Sequence, residues 1–306
     1  MTSPTLADLI ALLDEWYPPS TAEGWDAPGT VCGDPHAPVR RVMLAVDVTA
    51  AVVDEALEWG ADLLVTHHPL YLRPVHSVAA TTFKGALVHR LIRGGCGLHA
   101  AHTNADAAAG GVAEALAVAI GLVDLRPMVP IDDTTGTGRI GRLPRPLTLE
   151  QFAAQVAAAL PPTEQGVRVA GAPEGQVSTV AVVGGSGDSL FDDVRAAGAD
   201  AYVTADLRHH PASELRERAA FEAGTSDPSV GVPYLVDVAH SASEWLWLPG
   251  AAQALRTEVA GRWPGTRLET RVSTLRTDPW TFRVDSPPRP ASDPSTPANE
   301  LPGGLP

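Results

Sequence analysis

Short apolar runs alternating with stretches of helical period constrain this chain more than any other feature. RRVMLAVDVT (40–49), ADLLVTHH (61–68) and the start of CGLHAAHTNAD (96–106) read as strands. AAVVDEALEWG (50–60), FKGALVHRLIRGG (83–95) and AAAGGVAEALAVAIG (107–121) carry apolar residues at helical spacing and end on glycine. An amphipathic helix over Thr5–Trp16, capped by Ser3 or Thr5, precedes them. This β-α-β-α order predicts an α/β fold with mostly parallel, helix-flanked sheets. In such a sheet the carboxyl ends of the strands share one edge, and ligands bind there.

Those edges hold the residues of interest. Leu63-Leu64-Val65 is followed by His67 and His68, and Pro69 forbids a simple continuation of the strand. The pair suits metal ligation, a catalytic pair or an ordinary polar loop. His102 and Asp106 lie four apart at a strand-to-helix junction, where Asn104 or Asp106 equally suits a helix cap. His240 and Glu244 are again four apart after an apolar strand, a spacing that shares one helix face. Each pair alone has an ordinary structural explanation. Together, three strand ends delivering imidazoles and carboxylates to one crevice predict a metal site for Zn, Mn, Fe or Co. Six donors exceed one tetrahedral ion, so two divalent ions per chain are expected.

The rest of the chain divides into units. Residues 1–125 plus 233–280 are expected to form a discontinuous metal-binding α/β domain. A break at RPMVPIDDTTGTG leads to an inserted second α/β domain, 130–232, that would cover the crevice. Within it, GGSGDS (184–189) follows a strand and opens a helix. It fits no nucleotide fingerprint and lacks a lysine, so it reads as a tight turn, with anion binding by its N–H groups left open. The stretch 284–306 holds seven prolines from Ser286 on and is expected to be a disordered tail.

Composition narrows the partners. The formal net charge of -14 disfavours nucleic acid, because phosphate backbones are repelled. Two cysteines outside any C-x-x-C pair imply neither a disulfide framework nor a thiolate zinc site. No run is long and apolar enough for a membrane span, and the N-terminal residues lack a basic segment before an apolar one, so a cytoplasmic protein is expected.

ADLLVTHHPL, AAHTNAD, GRIGRLPRPLTLEQFA, VAVVGGSGDSLFDDVRAAGADAYVTADLRHH and DVAHSASE succeed one another in an order that resembles the NIF-three-like family of dinuclear-metal proteins, the GTP cyclohydrolase 1 type 2 homologs. The likeness spans about residues 5 to 275, and GWDAPGTVCGD (24–34) resembles the family's Trp-Asp-x-x-Gly segment. It implies a NIF-three-like fold and His67, His68, Asp106, His240 and Glu244 as metal ligands. His102 is implied as a ligand or as a group hydrogen-bonded just behind one. Ala239 and Ala205 stand where the family usually has glycine, and His210 aligns with a family histidine that suits a general acid or base or a helix cap. Asp47, in LAVDVT, is either an orienting partner behind the metals or a turn residue.

The resemblance also implies a homo-oligomer, a hexamer, and a small-molecule substrate such as GTP or another nucleotide. The expected reaction is metal-dependent hydrolysis: opening of the guanine imidazole ring with release of formate, driven by a metal-held hydroxide. Arg139, Arg142 and Arg208 are the candidate triphosphate contacts. The alternatives are a dinuclear phosphoesterase or amidohydrolase with another substrate, and a non-catalytic metal-binding regulator.

Overall fold

The computed structural model describes residues 3–285. The expected Pro-rich tail lies outside the described residues from Ser286 onward. The first helix, α1 (Leu6–Trp16), starts where Thr5 and Asp8 cap each other: the Thr5 Oγ1 accepts from the Asp8 N–H, and the Asp8 carboxylate accepts from the Thr5 N–H. That exchange satisfies two otherwise orphaned donors. After it come β1 (Gly29–Cys32), β2 (Arg41–Ala45), α2 (Ala50–Trp59), β3 (Leu63–Thr66), α3 (Phe83–Arg93), β4 (Gly97–Ala100), α4 (Thr103–Ala107) and α5 (Val112–Ala119). The middle of the chain forms β5 (Val123–Pro130), β6 (Gly136–Thr148), α6 (Leu149–Ala159), β7 (Arg168–Ala170), β8 (Gln176–Ser186), α7 (Phe191–Ala196), β9 (Ala201–Ala205) and α8 (His209–Glu222). It closes with β10 (Tyr234–Val238), α9 (His240–Trp245), α10 (Trp247–Arg262) and β11 (Glu269–Val272).

Two sheets result, each flanked by helices. The first runs β1-β4-β3-β2-β11, parallel except for β1. The second runs β5-β6-β8-β9-β10-β7, parallel only through β8, β9 and β10. It is therefore mixed. The stretch that reads as a break in the sequence is a hairpin joining β5 to β6, and a tight hairpin can only join antiparallel strands. The Ile131 N–H donates to the Thr135 carbonyl, and the Asp132 carboxylate gathers the Thr134 and Thr135 N–H groups, which closes the turn.

Helices α1 and α10 cover one face of the first sheet, burying Leu9, Leu13, Trp247 and Leu255 against Leu44 and Val65. On its other face α2 and α3 bury Val53, Ala56 and Leu91 against Leu64 and Leu98. In the second sheet, Phe152 and Val156 of α6 meet Val180, Val203 and Val236, while Leu215 and Val194 pack on Tyr202 across the sheet. Helix α5 serves both units: Val112 sits in the first core and Leu116 in the second. Strand β10, which the sequence groups with the first unit, pairs with β9 and β7 in the second sheet.

This topology sets the crevice. Ala45 of β2, Thr66 of β3 and Ala100 of β4 are register partners at the carboxyl ends of their strands. Ala205 of β9 and Val238 of β10 are partners at the same kind of end in the second sheet. The residues just beyond each of these strands therefore emerge at one of two facing edges.

Candidate metal centre

Four imidazoles converge in that crevice, each with one nitrogen held from behind. His67, immediately after β3 and fully buried, has Nδ1 at 3.0 Å from the Ala101 carbonyl oxygen. His68 Nδ1 meets Asp47 Oδ1 at 2.7 Å, and His102 Nδ1 meets Asp26 Oδ1 at 2.7 Å. His240, the first residue of α9, places Nδ1 at 2.6 Å from Asp206 Oδ2. A carbonyl or carboxylate oxygen only accepts, so each Nδ1 carries a proton and each Nε2 is the ring nitrogen left to face the centre. That arrangement is how proteins prepare imidazoles for cations.

The Nε2 atoms face one another. His240 Nε2 and His68 Nε2 are 3.3 Å apart. The donor atoms of His67, His68 and His102 lie within 4.8 Å of one another, as do those of His68, His240 and Glu244. Glu244, one turn along α9 from His240, sets Oε1 at 3.0 Å from His240 Nε2 and 3.4 Å from His67 Nε2, with Oε2 at 3.2 Å from His68 Nε2. Asp106 of α4 points Oδ1 at His67 Nε2 from 3.6 Å. His67 Nε2, Asp106 Oδ1 and Glu244 Oε2 are buried without any hydrogen-bond partner. Buried polar atoms left unpaired are costly, and three converging ones fit a bound cation. The imidazole and carboxylate donor set fits divalent transition metals.

Charge in the site points the same way. Burial opposes charge on His240, yet the Asp206 carboxylate and Glu244 outweigh it, so its imidazolium is pushed up to about 10. Burial likewise opposes charge on His67 and His68, but Glu244 draws both upward, helped by Asp106 and Asp47 respectively. Glu244 is held well below the usual carboxylate range, because His68, His67 and His240 outweigh its burial. Asp106 is pushed up, mainly by burial. These opposed shifts tie the imidazoles of His67, His68 and His240 and the Glu244 carboxylate into one mutually attracting cluster.

The backbone is shaped for this purpose. Gly185, in GGSGDS, has φ +67°, and a Cβ there would lie 2.6 Å from Glu244 Oε1 and 3.1 Å from His240 Nε2. The Gly185 N–H donates to Ser243 Oγ, whose hydroxyl donates to the His240 carbonyl. That N–H is therefore committed to positioning α9. Asp206 sits at φ 55°, a strained conformation for a non-glycine residue, just past Ala205. His102 serves as the N-cap position of α4, and Asn104 Oδ1 accepts from the His102 N–H while its amide donates to the Tyr17 carbonyl.

The structure brings His67, His68, His102, Asp106, His240 and Glu244 together, with the last two entering from the second sheet. It leaves His210 outside: that side chain is exposed on the first turn of α8, its ring 5.2 Å from that of His209. Of the arginines expected to meet a triphosphate, Arg139 is buried and spent on the carbonyls of Gly136, Gly138, Ala107 and Ala108. Arg208 pairs with Asp188. Asp26 and Asp206 lie in stretches that the family resemblance picks out, GWDAPGTVCGD and TADLRHH, but no local spacing ties either to the imidazole it holds.

The centre opens into a cavity of about 810 Å³ between the two sheets, lined by the Ser20–Trp25 segment, Val129–Ile131, Val183–Ser186, Leu190 and, from the centre itself, His102, Asp106, His240 and Glu244. Its titratable lining residues, among those described, are Glu23, Asp106 and Glu244 and the imidazoles of His102 and His240, with no Lys or Arg.

Known proteins share this architecture. Residues 4–279 match the family model Duf34/NIF3 (NGG1p interacting factor 3). A Streptomyces coelicolor protein named GTP cyclohydrolase 1 type 2 homolog is 52% identical over 290 residues, covering 93% of this chain and 96% of its own. A Mycobacterium tuberculosis protein of the same name is 38% identical, covering 90% and 96%. Among solved structures, the Staphylococcus aureus hypothetical protein SA1388 matches with a TM-score of 0.79 at 28% identity, covering 92% of this chain and 100% of that one. A Bacillus cereus protein related to NIF3 matches with the same TM-score at 25% identity and the same coverage.

Proposed function

This chain belongs to the Duf34/NIF3 family, and on that footing we propose that it is a metal-dependent hydrolase with a two-ion centre. The observation that carries the reading is the set of three buried, unpaired donor atoms, on His67, Asp106 and Glu244, at a centre whose Asp106 and Glu244 line a substrate-sized cavity. His67, His68, Asp106, His240 and Glu244, with His102 beside them, would hold the ions. When bound, such ions bring the pKa of a coordinated water toward neutrality and offset negative charge that develops during hydrolysis. Asp47, Asp26, Asp206 and the Ala101 carbonyl keep each imidazole proton on Nδ1 and each ring aimed inward. Gly185 leaves room for Glu244, and Ser243 fixes the turn that carries it.

The relatives' name, GTP cyclohydrolase 1 type 2 homolog, supports GTP as the substrate, and the reaction proposed on it is opening of the guanine imidazole ring with release of formate. A second reading, hydrolysis of a substrate without phosphates, is favoured by the absence of Lys and Arg from the described cavity lining. A homohexamer in the cytoplasm completes the proposal. It is supported by the family resemblance and agrees with the finding that no described helix is long and apolar enough to cross a membrane. The test is formate release from GTP by protein loaded with Zn, Mn, Fe or Co, beside the His68→Ala variant. Release by the wild type and its loss in the variant support ring opening. Absence of formate with every metal, while metal remains bound, would remove GTP and leave the second reading.

A further inference from the structure

Trp25 stands at the mouth of the metal cavity with 61% of its surface exposed. An indole open to water forgoes one of the largest apolar burials a side chain offers. Ile131, 57% exposed, and Leu190 share the same cavity wall, and apolar surface rimmed by polar groups marks a binding site. The indole is not carried on a loose segment. The Asp26 N–H donates to the Glu23 carbonyl, and the Glu23 N–H donates to Thr103 Oγ1, both at 2.9 Å. The Asp26 carboxylate holds His102 Nδ1 and also accepts from the Thr103 N–H. The side chain that aims one metal-facing imidazole therefore also fixes the residue before it. Trp25 meets the His102 ring edge to face, centroids 5.9 Å apart and planes at 80°.

Charge supplies the second observation. The described lining holds carboxylates, hydroxyls and the His102 and His240 imidazoles of the metal centre, but no Lys or Arg. A polyphosphate finds no arginine or lysine fork here, whereas a flat ring finds an aromatic partner of fixed position. We infer that Trp25 is the stacking platform for the planar ring of the substrate, and that this ring rather than any phosphate supplies the side-chain part of binding. The choice of a purine rests on the hydrolase reading above; the platform itself rests on the placement of Trp25.

The test is calorimetric titration of the metal-loaded full chain with guanosine, GTP and inorganic triphosphate, for the wild type, Trp25→Ala and Trp25→Tyr. Metal content and formate release are measured on the same samples. Guanosine and GTP should bind the wild type to within about threefold of each other. Trp25→Ala should weaken both by about 10- to 100-fold, the range expected for loss of one base–aromatic stack, with metal content unchanged, and Trp25→Tyr should recover most of the loss. Guanosine binding that is absent in the wild type, or equal in the wild type and Trp25→Ala, would overturn the inference. So would loss of metal in Trp25→Ala, which would make the indole a structural prop. The two readings fail separately. Trp25-dependent guanosine binding without formate release keeps the platform and removes ring opening, whereas formate release with binding indifferent to Trp25 does the reverse.

Discussion

His240 shows how single residues make this site. Its Nε2 faces the centre because Asp206 holds its Nδ1 at 2.6 Å. Replacing Asp206 with Ala should lower metal affinity by about 10- to 100-fold, measured by competition with a chromophoric chelator. Asp206→Gly should lose metal to the same degree while relieving the backbone at φ 55°, which separates the carboxylate from the strain. Gly185→Ala makes the converse point. It places a methyl 2.6 Å from Glu244 Oε1 at a positive φ, so it should cost about 1–2 kcal/mol in denaturant unfolding from the backbone alone and reduce bound metal as well. The candidate ligand residues stand out in the sequence because their spacings are local: an adjacent pair and two i, i+4 pairs. No such spacing marks Asp26 or Asp206, because each acts across a long separation in sequence, Asp26 on His102 and Asp206 on His240. His210 and Arg139 mislead for the opposite reason. Residue type suggests a role, but position gives one to solvent and the other to buried carbonyls.

The protonation of the imidazoles has a measurable sign. Ligands must be neutral to hold a cation, and in the metal-free site His240 keeps its proton up to about pH 10. Loading at pH 7 should therefore release protons, and affinity should fall as pH falls. Calorimetry in buffers of different ionisation enthalpy reads the number released. A value of zero would place the metal away from these imidazoles.

Among elements, α9 is the critical piece. It is only six residues long, yet it delivers His240 and Glu244 from one face. It is held to β8 by the Gly185 N–H to Ser243 Oγ hydrogen bond, so Ser243→Ala leaves a buried donor unpaired. The expected cost is about 1–3 kcal/mol of stability with weakened metal binding. An unchanged unfolding midpoint would show that α9 is held otherwise. The long helices and apolar strands are legible from period and capping, as Thr5 with Asp8 and Gly60 at φ 74° illustrate. Strands β1, β5 and β7 are not. β1 and β7 are very short, and β5 carries Pro127 and Pro130, which read as breaks but are tolerated on an edge strand. Nor does an apolar strand announce its neighbours: YLVDV lies in the second sheet although helix α10, soon after it in the chain, packs against the first.

At the scale of the molecule, the centre joins two sheets. His67, His68, His102 and Asp106 come from the edge of the first, and His240 and Glu244 from the edge of the second. A cation held by both stabilises the arrangement by mass action, about 2.7 kcal/mol at a free metal concentration one hundred times Kd. The decisive measurement is elemental analysis of the purified protein beside its Glu244→Ala variant. The expected result is about two divalent ions per wild-type chain, the count that six donors serving two ions would give. Both should be lost in Glu244→Ala, whose missing carboxylate reaches three of the imidazoles. Equal metal content in the two proteins, or none in the wild type after incubation with each candidate metal, would contradict a shared two-ion centre.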